Sequence, residues 1–288
     1  EVQPARAKPY LGAMPQVRAV TWTLYGTLLN ILSGQLLFEH PQKFVMEIAL
    51  DKTVQEFKMW GSMTRKPGQP SEYLGEMYKR VLTDLRMAPS RGEKHPEILA
   101  ERVWDGVLKK LAQKDYKYDV VFYGPMNDYC KKMAYFFHAS LQGTACHDGA
   151  TKALEHVHQA GLKQAWLTDA QCFSFGQLQR GLKQQHSKTP IDQLFDRSAS
   201  ALSCDVGGRK PSERMFKQAL SNLGLAAAQV LHVGSSIPRD LVPAKKLGMR
   251  TALYAGNKDS LDATKDQLKD PATRPDVMLT ELGQIAEI

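Results

Sequence analysis

Four short polar segments of the sequence carry hydroxyl, ammonium and carboxylate side chains that could bind and process a ligand together. Each lies just after a run predicted as a buried β-strand, and ligands of open parallel sheets bind beyond the carboxyl ends of the strands. The segments are Thr23–Thr27, Thr168–Asp169, Lys210–Pro211, and Gly234–Ser236 with Asp240 close behind. Hydroxyl and ammonium groups suit an anionic ligand, whereas carboxylates suit acid–base chemistry or a metal ion.

Alternating strand and helix patterns predict the elements that position these segments. Residues 17–30 (VRAVTWTLYGTLLN) are rich in Val, Thr and Trp and predict a buried strand that enters a tight turn at Gly26. From Asp148 onward, strand-like runs alternate with amphipathic, helix-like stretches. Such alternation favours right-handed crossovers and a parallel sheet covered by helices on both faces. The predicted fold class is therefore α/β, with a doubly wound parallel sheet of the Rossmann-like type.

The residues between these two parts have a helical pattern instead. Over residues 31–143, apolar side chains recur at helical spacing, as in Tyr129, Met133 and Phe137. Phe44 and Ile48 are expected to lie on the buried face of another helix in this stretch. We therefore predict three regions. They are an α/β core at 15–30 and 145–288, an all-helical cap inserted at 31–143, and a disordered tail at 1–14.

Composition and charge argue against several classes of protein. The 288 residues include 38 Lys and Arg against 30 Asp and Glu, but the two signs are interspersed, whereas nucleic-acid binding needs basic residues clustered on one face. The four cysteines form no Cys-x-x-Cys pair, and no apolar run is long enough for a membrane span. We expect a cytoplasmic protein with no membrane span and no nucleic-acid partner, and the oligomeric state stays open.

The order of the polar segments, with a helical insert after the first, resembles the haloacid dehalogenase-like hydrolase superfamily. Its members carry a strand ending in D-x-[D/Y/T]-G-T-L, a second ending in [S/T]-N or [S/T]-D, a lysine before a proline and a helix, and a G-D-x-x-x-x-D-type motif. The sequence YGTLL at residues 25–29 is more similar to the motif of the 2-haloacid dehalogenase branch than to that of the phosphatases. The resemblance implies a hydrolase with a helical cap. It places the catalytic positions at Thr23, Tyr25, Thr168, Lys210 and Asp240.

Two positions depart from the motifs of that superfamily. Thr23 stands where the nucleophilic aspartate is expected, and Ser235 stands where the first acid of the fourth motif is expected. A threonine hydroxyl is a poor nucleophile at neutral pH, and the sequence identifies no histidine or lysine as its base. Neither residue supplies the negative charge that Mg²⁺ prefers in its ligands. We therefore predict no metal site and no cofactor, and Mg²⁺ is disfavoured although Asp169 and Asp240 remain as acids.

Two other ionisable residues are expected to have structural roles. The Tyr25 hydroxyl is protonated at neutral pH, so we predict that it packs in the turn beneath the cap. His232 lies within a predicted buried strand and is expected to be a hydrogen-bonded core residue.

These features favour a catalytically impaired hydrolase-like protein that retains a pocket for a small anion, either phosphate or carboxylate. Without a carboxylate at position 23, Lys210 is expected to pair with Asp240 or Asp169, or to hold a free anion. The candidate anion-binding residues are Gly26, Thr27, Thr168, Asp169, Lys210, Ser235 and Ser236.

Two alternatives stay open. The first is an active, divergent hydrolase, either a phosphatase of small phosphorylated metabolites or a dehalogenase-like enzyme in which Thr23 and Asp240 position a water molecule. The second is a structural protein associated with RNA or with a larger complex.

Overall fold

A six-stranded parallel sheet forms the centre of the molecule. The computed structural model describes residues 2–63, 68–88 and 92–288. Its strands are β1 (Ala19–Trp22), β2 (Leu29–Asn30), β3 (Ala145–Cys146), β4 (Lys163–Thr168), β5 (Ala201–Leu202), β6 (Val230–Gly234), β7 (Arg250–Tyr254) and β8 (Val277–Leu279). The parallel sheet has the order β5, β4, β1, β6, β7, β8. From β1 the sheet is extended by β4 and β5 on one side and by β6, β7 and β8 on the other. The order of the strands thus reverses at β1, and open α/β sheets bind ligands at such a point.

The insert between β2 and β3 is helical in all its described elements. Its α-helices are α1 (Lys43–Glu56), α2 (Pro70–Met87), α3 (Ala100–Ala112), α4 (Val120–Tyr123) and α5 (Met126–Leu141), with 3₁₀ turns at Leu32–Gly34 and Met59–Ser62. Their inner faces meet at Tyr78, Trp104 and Phe137, whose ring centroids lie 4.9–5.4 Å apart. All three side chains are fully buried, so the cap has its own aromatic core.

The helices of the α/β core cover the central sheet. They are α6 (Ala150–Gln159), α7 (Ser174–Gln184), α8 (Ile191–Leu194), α9 (Ser203–Val206), α10 (Glu213–Leu223), α11 (Val242–Lys246) and α12 (Lys265–Lys269), with a π turn at Ile237–Leu241 and 3₁₀ turns at Ala227–Gln229 and Leu282–Glu287. In α6, for example, Ala153, Leu154 and Val157 repeat at helical spacing and are buried. The predicted doubly wound parallel sheet with an inserted helical cap is confirmed.

A short antiparallel ribbon connects the cap to the core. Leu29 of β2 pairs with Cys146 of β3, and Asn30 pairs with Ala145. Two-residue strands leave no alternating pattern in a sequence, so the sequence did not predict this ribbon. The ribbon holds together the two segments through which the chain enters and leaves the cap.

Two sequence expectations differ from the structure. Phe44 and Ile48 are 70% and 37% exposed, because α1 turns Met46 and Leu50 toward the core instead. The predicted disordered tail packs on the sheet edge over its described part: Tyr10 forms two backbone hydrogen bonds with Met278, at 3.0 and 2.7 Å. The reason is that β8 is an edge strand with unpaired backbone groups, and the tail pairs with them.

Candidate active site

The polar segments that follow β1, β4 and β6 meet at one end of the sheet, beneath the cap. Thr23 and Thr168 lie at the ends of β1 and β4, and Lys210, from the loop before α10, reaches the same point. Gly34 to Leu36 of the cap close the space above them. The volume open to the centre of a water molecule is about 10 Å³, which is room for about one water.

A buried ion pair occupies the centre of this site. The Lys210 Nζ atom donates to the Thr23 Oγ1 atom at 2.7 Å and contacts the Asp240 Oδ1 atom in a short ion pair. Thr23 Oγ1 lies 3.2 Å from the same carboxylate oxygen. The side chains of Lys210 and Asp240 are each only 2% exposed, so these groups interact without competition from bulk water.

The second carboxylate oxygen of Asp240 accepts hydrogen bonds from the backbone. Asp240 Oδ2 accepts hydrogen bonds from the backbone N–H groups of Ser235 and Ser236, both at 3.0 Å. Burial by itself raises the pKa of Asp240, but the charge of Lys210, with lesser help from neighbouring cations, lowers it to about 2. Asp240 is therefore ionised at neutral pH and neutralises Lys210.

Lys210 was expected to pair with Asp240 or Asp169, or to hold a free anion. In the structure its ammonium group pairs with Asp240. Asp169 interacts with the backbone of Lys210 instead, since its Oδ1 atom accepts the Lys210 N–H at 2.8 Å. Its other oxygen lies 3.8 Å from Arg209 Nε. Asp169 thus holds the loop that carries Lys210, and the loop delivers the ammonium group to Thr23.

His232 lies directly beneath this centre. In β6 its Nδ1 atom is 3.0 Å from Thr21 Oγ1, and its Nε2 atom is 3.4 Å from Thr23 Oγ1. Burial lowers the pKa of His232 to about 3, so the ring is neutral at neutral pH. The sequence placed His232 in the core but missed its contact with Thr23. The contact could have been predicted from the pairing of β1 with β6, because this pairing puts Thr21 opposite His232.

Several expected anion-binding groups are engaged within the protein. The Thr168 hydroxyl accepts the N–H of Leu24 at 3.0 Å and donates to the carbonyl of Asp169. The Ser236 hydroxyl donates to Asp262 Oδ2 at 2.7 Å. The N–H groups of Leu24, Ser235 and Ser236 thus donate to the chain's own side chains in this structure.

Three other predicted residues, Gly26, Thr27 and Ser235, lie in the loops that follow β1 and β6. The hydroxyls of Thr27 and Ser235 are buried and form no hydrogen bond within the described part of the chain. Gly26 has φ +82°, and a Cβ atom there would lie 2.7 Å from Ser235 Oγ, so glycine is required by both conformation and space.

The Tyr25 hydroxyl is held by α7. It donates to Gln177 Oε1 at 2.6 Å and shares a 2.7 Å hydrogen bond with Ser174 Oγ. Burial raises the pKa of Tyr25 well above its usual value. A proton-transfer role is therefore disfavoured, and the side chain packs as the sequence suggests, against the core beneath the cap.

Cap and core are tied together around this site by contacts that the sequence did not predict. Arg239 Nη1 donates to Gln35 Oε1 of the cap at 2.8 Å. On the other side, the Arg209 N–H donates to the His95 carbonyl at 2.7 Å. Glu97 of the cap accepts a short hydrogen bond from Ser203 and lies 3.9 Å from Arg209 Nε. Burial raises the pKa of Glu97 to about 7, although Arg209 opposes the shift.

The residues present do not fit the Mg²⁺ ion that the phosphatase branch would imply. Thr23 and Ser235 carry no charge, and both oxygens of Asp240 already bind Lys210 and the backbone. Among the described residues, no group of three His, Cys, Asp or Glu side chains is arranged to hold a metal ion. Mg²⁺ needs carboxylate oxygens that are available to it.

None of the described helices is long and apolar enough to cross a bilayer.

Comparisons with known proteins agree with this architecture. Residues 208–285 match the family model described as HAD-hydrolase-like. No curated protein matches the chain significantly in sequence. The fold is similar to that of 2-haloacid dehalogenase from Pseudomonas syringae pv. tomato DC3000, at 18% identity and a TM-score of 0.56, over 94% of this chain and 97% of that one. It is also similar to a HAD phosphatase from Thermococcus onnurineus, at 16% identity and a TM-score of 0.51, over 93% and 96% of the two chains.

At these identities the solved structures establish a shared fold, not a shared reaction. The chain therefore shares the fold of these two structures, and its residues 208–285 are similar to the HAD-hydrolase-like family model.

Proposed function

We propose that this chain is a haloacid dehalogenase-like protein that lacks the covalent hydrolase chemistry of its superfamily and binds a small anion without turning it over. The observation that carries the proposal is the contact between Thr23 and the Lys210–Asp240 ion pair in a space for about one water molecule.

The end of β1 carries no activated nucleophile. An attacking group at the end of β1 needs a negative charge or a base that takes its proton. Thr23 is neutral, and the Lys210 ammonium group next to it donates to the Thr23 hydroxyl and is paired with Asp240. An ammonium group donates to the hydroxyl and so cannot accept its proton. The hydroxyl is held in place and is not activated.

The charges of the residues that line the cavity do not cancel. The cavity is lined by three cations, Lys210, Arg209 and Arg239, and by two carboxylates, Asp169 and Asp240. This leaves one positive charge in excess, and Arg239 forms no ion pair within the described part of the chain. A small anion would therefore be attracted to Arg239 once the cap moves away from it.

The proposal is tested by measuring turnover and binding together. We expect no hydrolysis of an aryl phosphate with Mg²⁺ and no halide release from 2-chloropropionate. Calorimetry should detect inorganic phosphate binding, which Arg239→Gln should weaken at least fivefold and the matched control Lys246→Gln should not change. Turnover by the unmodified chain, or phosphate binding that ignores Arg239, would contradict the proposal.

A second candidate function is an active, divergent hydrolase, and the position of His232 favours it. Its neutral ring lies 3.4 Å from Thr23 Oγ1, which is close to the distance at which a base takes a proton from a hydroxyl. Its lowered pKa makes it a weak base, which argues against efficient catalysis. Turnover that disappears in both Thr23→Val and His232→Gln, while the folded state persists, would establish this function.

A further inference from the structure

A groove on the outside of the cap shares no residue with the cavity at Thr23. It has a volume of about 780 Å³ and runs between the end of α1, the loop at 117–119, α4 and α5. This volume lies within the range of small-molecule sites. Six aromatic side chains line it: Phe57, Tyr118, Phe122, Tyr123, Tyr129 and Phe136.

These rings form a buried floor and an accessible wall. Phe57 and Tyr129 are buried, and the Tyr118 ring stacks on Tyr129 in parallel, at 4.2 Å and 7°. Phe122, by contrast, is 72% exposed. The Phe122 ring lies edge-to-face with Tyr123, at 4.8 Å and 87°, so its exposed face is open to a further planar group.

The edge of the groove is basic. Lys52, Lys58 and Lys117 line it and are exposed, and none of them forms an ion pair within the described part of the chain. Glu56 and Asp119 are the acidic residues of the lining, so the three lysines leave one positive charge in excess.

The backbone at this edge is also unusual. Lys58 has φ +51°, a conformation that residues with a side chain rarely adopt. Such conformations concentrate at ligand-binding sites, because the surrounding structure must hold them in place. The strained residue is thus one of the three lysines beside the aromatic wall.

We propose that this groove binds a nucleotide, with its planar base against Tyr118 and Phe122 and its phosphate against Lys58 and Lys117. Stacking on aromatic rings combined with lysine contacts to phosphate is the usual way in which proteins hold such a ligand. Both features are needed, since the rings alone would suit any apolar group and the lysines alone any anion. This site does not depend on the function proposed for the cavity at Thr23.

The test is calorimetry at low salt with AMP as the probe, and with adenosine and inorganic phosphate as its two halves. We expect AMP to bind more tightly than either half. Phe122→Ala should weaken AMP binding at least fivefold, as loss of base stacking does elsewhere. The double variant Lys58→Ala/Lys117→Ala should weaken AMP and flatten its salt dependence while leaving adenosine binding unchanged.

Two matched controls separate these effects from unfolding. Val121→Ala alters a side chain that is 99% exposed beside Phe122, and Lys79→Ala removes a cap lysine outside the groove. Both should bind AMP like the parent, and all variants should keep its thermal midpoint. The proposal is overturned if millimolar AMP does not bind, if the groove variants bind it normally, or if an oligouridylate strand binds where AMP does not.

Discussion

At the scale of single residues, one missing carboxylate changes the task of Lys210. With an acid at position 23, the resemblance implies that the lysine would neutralise a nucleophile and the transferred group. Here Thr23 is neutral, so Lys210 and Asp240 neutralise one another, and the Thr23 hydroxyl completes their hydrogen bonding. The result is a buried ion pair whose two charges balance.

The strength of that pair can be measured by removing its members in turn. Lys210→Met leaves the buried Asp240 carboxylate unpaired, which should cost about 3–5 kcal/mol of unfolding free energy. Asp240→Asn should also destabilise, and the double variant Lys210→Met/Asp240→Asn should lose less than the sum of the two. Urea unfolding of the three variants provides the values. A loss below about 1 kcal/mol in Lys210→Met would mean that the pair is open to water.

At the scale of elements, the sequence predicted what periodicity and strand order determine. Thr23 and Thr168 could be assigned to one end of the sheet because parallel strands end together, and His232 could be assigned to a buried strand. The β2–β3 ribbon, the pairing of Tyr10 with Met278 and the exposure of Phe44 could not be predicted, because each depends on which surface a segment meets in three dimensions. The hydrogen bonds from the Ser235 and Ser236 N–H groups to Asp240 could not be predicted for the same reason.

The loop after β6 depends on a glycine for its geometry. A Cβ atom on Gly234 would lie 2.5 Å from the Cβ and Cγ atoms of Asp240, which is too close to be tolerated. We therefore expect Gly234→Ala to destabilise the protein by about 1–3 kcal/mol in chemical denaturation, through displacement of Asp240. Gly143→Ala is the matched control, because nothing lies within 4 Å of a Cβ atom there. Equal stability of the two variants would show that the loop moves freely.

At the scale of the whole molecule, buried ionisable groups couple the fold to pH. Burial lowers the pKa of His138 and His232 to about 3 and that of His147 to about 4, from an ordinary value of 6.5. Below pH 6.5 the unfolded chain takes up protons at these residues and the folded chain does not. Their contribution to stability is therefore lost as the pH falls from about 6.5 toward 4. Glu97 acts in the opposite direction, because its raised pKa lets the folded state bind a proton first.

These shifts predict a net loss of about 4 kcal/mol in unfolding free energy between pH 7 and pH 5, from three histidines opposed by one glutamate. Urea titrations at the two pH values measure it. His138→Leu should remove about 2 kcal/mol of the pH dependence, whereas His156→Gln, at an exposed position, should leave it unchanged. A stability that stays constant or rises on acidification would contradict the burial of these rings.

The proposed function requires that hydrolysis is absent because carboxylates are missing at positions 23 and 235, while Thr168 and Lys210 stay at the strand ends. The most direct measurement is the rate of Mg²⁺-dependent aryl phosphate hydrolysis by the unmodified chain, by Thr23→Asp, and by Thr23→Asp/Ser235→Asp. We predict no turnover by the unmodified chain and measurable turnover by the double variant, since Thr168 and Lys210 remain at the strand ends beside the new acids. Turnover by the unmodified chain, or no turnover by the double variant, would contradict this account.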